Sequence, residues 1–72
     1  MNYIVVCIIE NDLPTNVSVH ISEKEAELAF FDMCAQKLSN FDEYTYYDKM
    51  ALLEQGYEKY GYGKICIYKV ED

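Results

Sequence analysis

One histidine, His20, and three cysteines, Cys7, Cys34 and Cys66, are the residues whose types suit nucleophilic or metal chemistry in this chain of 72. A catalytic Cys–His pair needs a thiol within reach of the ring and a third group to orient it. Strand alternation over Val17–Ile21 turns His20 outward, so it reads as a solvated strand histidine. Three thiols and one imidazole also match the donor count of a tetrahedral zinc site. Such sites usually take ligands in close pairs, because a tight turn pre-forms half of the site; here the four candidates fall on four elements with no pair. The expectation is three buried, reduced thiols, with no metal and no cofactor.

Thirteen Asp and Glu residues offer material for general acid–base work. Glu23, Glu25 and Glu27 fall in or next to the first turn of a predicted helix, where a carboxylate stabilises the positive end of the helix dipole. Gly61-Tyr62-Gly63 neither follows a strand nor opens a helix, so it fails the context test for a phosphate loop. The chain therefore reads as a non-enzyme.

Tyrosine is the unusual residue. There are eight, six of them between Tyr44 and Tyr62. Tyr46 and Tyr57 share a helical face with Met50 and Leu53, at i, i+4, i+7 and i+11, which assigns them to the core. Tyr44, Tyr47, Tyr60 and Tyr62 lie off that face, interleaved with Asp42, Glu43, Asp48, Glu54 and Glu58. Tyrosine gives rigid, amphipathic contact area at low entropic cost. The expected partner-binding set is Tyr44, Tyr47, Asp48, Glu54, Glu58, Tyr60 and Tyr62.

The six basic residues are all lysine and the net charge is −7. That argues against direct binding of nucleic acid or an anionic membrane, because phosphate binding needs clustered Lys and Arg. It suits a partner with a basic groove, and such grooves belong mostly to nucleic-acid-binding proteins. Carboxylates spaced over two helical turns, such as Glu25 and Asp32, partly imitate a phosphate array, while tyrosines pack where bases would stack. Simple solubilisation is the competing role for the same charge.

The elements that must position these residues follow from periodicity. Tyr3–Ile9 is β-branched and apolar on both alternating faces, the pattern of a central strand. Glu10–Asn16 reads as a turn, with Pro14 unable to continue a ladder. Val17–Ile21 alternates with its valines and isoleucine inward, as a hairpin partner. Ser22–Glu25 reads as a capping box opening a helix to about Ser39, with Ala26, Phe30, Met33 and Cys34 on one apolar face and Leu28, Phe31, Ala35 and Leu38 on a second. So wide an apolar arc predicts two packing partners: the sheet, and either the second helix or another subunit. That second helix runs from Thr45 to Gln55, capped by Asp42 or Thr45 and ended by Gly56. Tyr57–Gly63 reads as a loop and Lys64–Val70 as the last strand. The expected fold is α+β, β-β-α-α-β, with residues 1–72 as a single domain. Its three-stranded sheet has the first strand central and two helices on one face. An apolar sheet side left uncovered would call for a homodimer or another protein.

In length, acidity, Tyr and Lys usage without Arg, and strand–helix layout, the chain resembles the small acidic anti-defence proteins of bacteriophages and mobile elements, including anti-CRISPR and anti-restriction inhibitors. The resemblance rests on no motif and assigns no residue a role. It implies a stoichiometric inhibitor acting in a host cytoplasm on a host protein or protein–nucleic-acid complex. Nothing in the N-terminal residues reads as a signal peptide, and the longest apolar run, Ile4–Ile9, is far too short to span a membrane. The alternative reading is a homo-oligomer that sequesters or senses a small molecule such as a nucleotide signal. Late lysines, Lys59, Lys64 and Lys69, would then hold the anion.

Overall fold

The computed structural model describes residues 2–71 as strands β1 (Asn2–Glu10) and β2 (Leu13–His20), helix α1 (Glu23–Lys37), a 3-10 turn (Phe41–Glu43), helix α2 (Tyr46–Gln55), and strands β3 (Tyr57–Tyr60) and β4 (Gly63–Glu71). The class is α+β. All neighbouring strands are antiparallel and the order across the sheet is β2-β1-β4-β3. The sheet therefore has four strands, where three are predicted. The extra one is β3, inside the expected Tyr-Gly loop. Its four residues alternate between exposed and half-buried, too few to show a strand period.

The β1–β2 connection is tighter than predicted. Asn11 and Asp12 take φ of 53° and 65° and form a two-residue turn, a geometry that Asn and Asp tolerate and that matches strand twist. Pro14 then lies within β2 rather than before it. β2 is an edge strand, where a residue without an N–H is accommodated, and the register shifts beside it between Ile8 and Ile9.

Register decides which side chains share a face. Cα partners in an antiparallel ladder point to the same side. Ile4, Val6 and Ile8 of β1, with Ile65 and Ile67 of β4, face the helices. Val5 pairs Val19 and Tyr68, and Cys7 pairs Val17 and Cys66, on the opposite, open side. The alternation in β2 is thus real but its direction is reversed. Val17 and Val19 are exposed on the open side, while Ser18 and His20 turn to the helix side and are half-buried. Because β1 is apolar on both faces, its own pattern cannot say which face the helices take. His20 Nε2 lies 2.8 Å from Ser18 Oγ, so it is a partnered strand histidine, not a solvated one.

Helix α1 buries Ala26, Phe30, Met33 and Cys34 against the sheet, the face its spacing predicts. On the second face only Phe31 and Leu38 reach the core, and Leu28 stays in solvent. Phe31 meets Phe41 of the 3-10 turn with ring centroids 6.1 Å apart, and the Lys49 ammonium of α2 lies over both rings. The Ser22 hydroxyl accepts from the Glu25 amide, but only this half of the expected capping box forms. The complete box is at α2, between Thr45 and Asp48. Gly56 ends α2 at φ 89°, and its carbonyl accepts from the Ile67 amide at 2.9 Å, which fastens the helix end to β4. Leu52 is the buried residue of α2, with Leu53 packed beside it. Tyr46 and Tyr57, expected in the core, are exposed. Tyr46 is the first residue of the helix and Tyr57 lies beyond Gly56 on a strand, so the helical spacing joining them has no physical counterpart.

Candidate protein-binding surface

Thr45 organises one end of the molecule. Its hydroxyl accepts from the Asp48 amide at 3.2 Å, and the Asp48 carboxylate accepts from the Thr45 amide at 2.9 Å. This reciprocal cap fixes the first turn of α2 and with it the direction of the two tyrosines it carries. Tyr46 and Tyr47 are 69% and 81% exposed, edge to face with centroids 5.8 Å apart. Asp42 and Glu43 of the 3-10 turn and Asp48 of the first helical turn are also in solvent. One helical face continues through Ala51 to Glu54, again exposed. Among the described residues, none of these four carboxylates forms a salt bridge.

The predicted set divides in two. Tyr47, Asp48 and Glu54 share the solvent side of α2, although Asp48 also holds the cap. Tyr62 is exposed at the β3–β4 turn, at the far end of the β3 edge, beside Tyr60. Tyr44, Glu58 and Tyr60 are half-buried and linked internally. The Tyr44 hydroxyl donates to Glu58 at 3.3 Å, and burial together with that carboxylate raises the Tyr44 pKa. The Tyr60 hydroxyl donates to Glu10 at 2.6 Å. Sequence reasoning missed Tyr46, whose place directly after a Thr cap residue was the available signal.

Two concavities lie elsewhere. A cleft of about 360 Å³ between the helices and the sheet has an apolar floor of Ile4, Leu53 and Ile67 and a rim bearing Glu27 and Glu54. Its lysine, Lys69, is paired with Glu23; that ion pair lowers the Glu23 pKa and raises that of Lys69. A shallower hollow of about 190 Å³ is lined by Lys59 and Lys64, by the acid Asp12, and by Tyr62. The late lysines are therefore split: Lys59 and Lys64 are cross-strand partners on the open side, and Lys69 belongs to the acidic cleft.

All three thiols are free; Cys7 and Cys34 are buried and Cys66 is half-buried beside Cys7. Burial pushes the Cys34 thiol up to about 12, with Glu58 adding to it, which removes its nucleophilicity at neutral pH. Burial and then the neighbouring Cys66 raise the Cys7 thiol. Among the described residues no group of three His, Cys, Asp or Glu side chains is placed to hold a metal ion, and no helix is long and apolar enough to cross a membrane.

No family model, curated protein or solved structure matches the chain.

Proposed function

We propose that the protein is a non-enzymatic inhibitor that binds another protein through the solvent face of α2 and the 3-10 turn before it. The supporting observation is the Tyr46–Tyr47 pair, 69% and 81% exposed, on a helix and preceding turn that also carry four exposed carboxylates without ion-pair partners among the described residues. Aromatic area held rigid by a capped helix turn is the raw material of an interface hot spot. Carboxylates around it favour a partner whose lysines and arginines pair with the acids and stack on the rings. A basic surface on a nucleic-acid-handling complex is the partner this chemistry fits, and the anti-defence role implied by the resemblance is the biological form of such a block. Tyr44 and Glu58, bonded to each other, are half-buried behind it, and Tyr62 lies apart from it at the β3–β4 turn.

The test is affinity capture with tagged protein from the native host lysate at low and high salt. The proposal expects one enriched nucleic-acid-binding partner, lost at high salt because the attraction between exposed charges is screened. A partner held equally at both salts removes the electrostatic part.

The nucleotide-sequestering reading has one observation in its favour, the Lys59–Lys64 pair beside Tyr62. The larger cleft, with its acidic rim, repels an anion. Absorbance at 260 nm co-purifying with the protein would favour this second reading over the first.

A further inference from the structure

We infer that the open side of the sheet is the contact surface of a homodimer, with two copies stacked sheet to sheet. The helices cover one side only. On the other, the register lays out rows across the strands: Val17, Cys7, Cys66 and Tyr57 in one, Val19, Val5 and Tyr68 in the next, Tyr3 and Val70 beyond. The middle of this face carries no charge in a chain of net charge −7. Val19 and Tyr68 are 61% and 50% exposed there. Depletion of charge with enrichment of Tyr and aliphatic groups is the composition of an obligate interface core.

Size and charge name the second copy as the occupant. The molecule is a slab of 35 × 29 × 16 Å, so the open side is one of its two broad faces. Strands rising ~3.3 Å per residue and spaced ~4.8 Å apart give a face of roughly 500 Å² per copy, so two copies reach the ~1,000 Å² at which specific interfaces begin. The accessible surface of 5029 Å² also exceeds the ~4,700 Å² usual for a folded monomer of this mass. Among the described residues, the cations on the face lie at one end, where Lys59 and Lys64 stand directly opposite one another, an unfavourable pairing within one copy. The other end of the face carries Tyr3 and Val70. A two-fold axis running across the strands sets the lysine end of one copy over the Tyr3–Val70 end of the second, which keeps the like charges of the two copies apart. The acidic α2 surfaces then point away from each other, and the dimer presents the proposed binding face twice. A basic protein partner is drawn to those outer faces instead of to this uncharged one.

The experiment is light scattering and sedimentation of the full chain over a wide concentration range. The expected result is twice the 8.5 kDa chain mass for the natural sequence and for Leu28→Lys, which alters an equally exposed residue on α1. Val19→Lys is expected to give the monomer mass with its circular dichroism unchanged, since Val19 has little to lose inside one copy. A natural chain that stays monomeric throughout, or a dimeric Val19→Lys, overturns the inference. Alkylation of Cys66 in the natural chain gives an independent reading. Its rate is expected to fall as concentration rises, and a rate independent of concentration contradicts a sheet-to-sheet dimer. Lysate capture by α2 is read separately, so either proposal can fail without the other.

Discussion

Tyr60 donates its hydroxyl to Glu10 Oε2 at 2.6 Å across fifty residues of sequence, and Lys37 Nζ lies 3.3 Å from the same oxygen. One carboxylate at the end of β1 thereby holds both edge strand β3 and the last residue of α1. The Tyr60 ring lies over Gly63, where a Cβ would come within 2.8 Å of the ring and 2.9 Å of the Ile9 carbonyl. Gly63 is required by this close approach.

Tyr60→Phe keeps the ring and removes the donor. It should lower the thermal midpoint by a few degrees and raise amide exchange in β3 selectively. Gly63→Ala should cost more, because the methyl displaces the ring and meets backbone as well. Exchange measured by NMR or mass spectrometry checks both; unchanged β3 protection in Tyr60→Phe would show that the hydroxyl does not hold the edge.

The same pair contributes at both ends of the pH range. The Tyr60 hydroxyl first, and then Lys37, hold the Glu10 carboxyl below its ordinary value, against the opposing effect of burial. The unfolded chain takes up this proton near ~4.3 while the folded chain resists it, so the contribution is complete above that pH and is lost as pH falls through the lower folded value. Burial first, and then Glu10, raise the Tyr60 pKa. Above ~10 the unfolded chain releases the phenolic proton and the folded chain keeps it, so stability falls as pH rises further. Denaturant midpoints measured across pH should show both limbs, and Tyr60→Phe should make the alkaline one shallower, the raised thiols of Cys34 and Cys7 and the raised Tyr44 hydroxyl supplying the rest.

Thiol chemistry should distinguish the cysteines. In native protein kept at low concentration, Cys66 should alkylate first. Cys7 and Cys34 should wait for opening of the fold, the latter because burial holds its thiol at about 12. Mass spectrometry of the labelled chain gives the order; rapid labelling of Cys34 would contradict its place between α1 and the sheet.

The caps of α2 support its exposed tyrosines. Thr45→Ala should cost about 1 kcal/mol, and Gly56→Ala about 1–2 kcal/mol for a left-handed residue with a side chain. A chain of this length holds only about 4–11 kcal/mol in all. Chemical denaturation of each variant measures the loss.

Much of this was legible beforehand because it is local. The β-branched run of β1, the apolar stripe Ala26–Phe30–Met33–Cys34, Thr45 before α2 and the glycine after it each announce themselves within a few residues. What was not legible depends on pairing. β3 is too short to show a period and exists because β4 offers it a ladder. The direction of Val17 and Val19 follows from their register with a strand that is apolar on both faces. Of the candidate surface, Tyr47, Asp48, Glu54 and Tyr62 are where spacing places them, in solvent. The internal bonds of Tyr44 and Tyr60 join residues fourteen and fifty positions apart, distances at which periodicity carries no signal.

The most direct measurement is lysate capture with the natural chain beside a Tyr47→Ala/Glu54→Gln double variant, whose altered side chains make no contact that holds the fold. The account predicts a partner retained by the natural chain at low salt and lost from the variant, with both proteins equally folded. A partner retained undiminished by the variant, or none captured by the natural chain, would contradict the assignment of the binding face to α2.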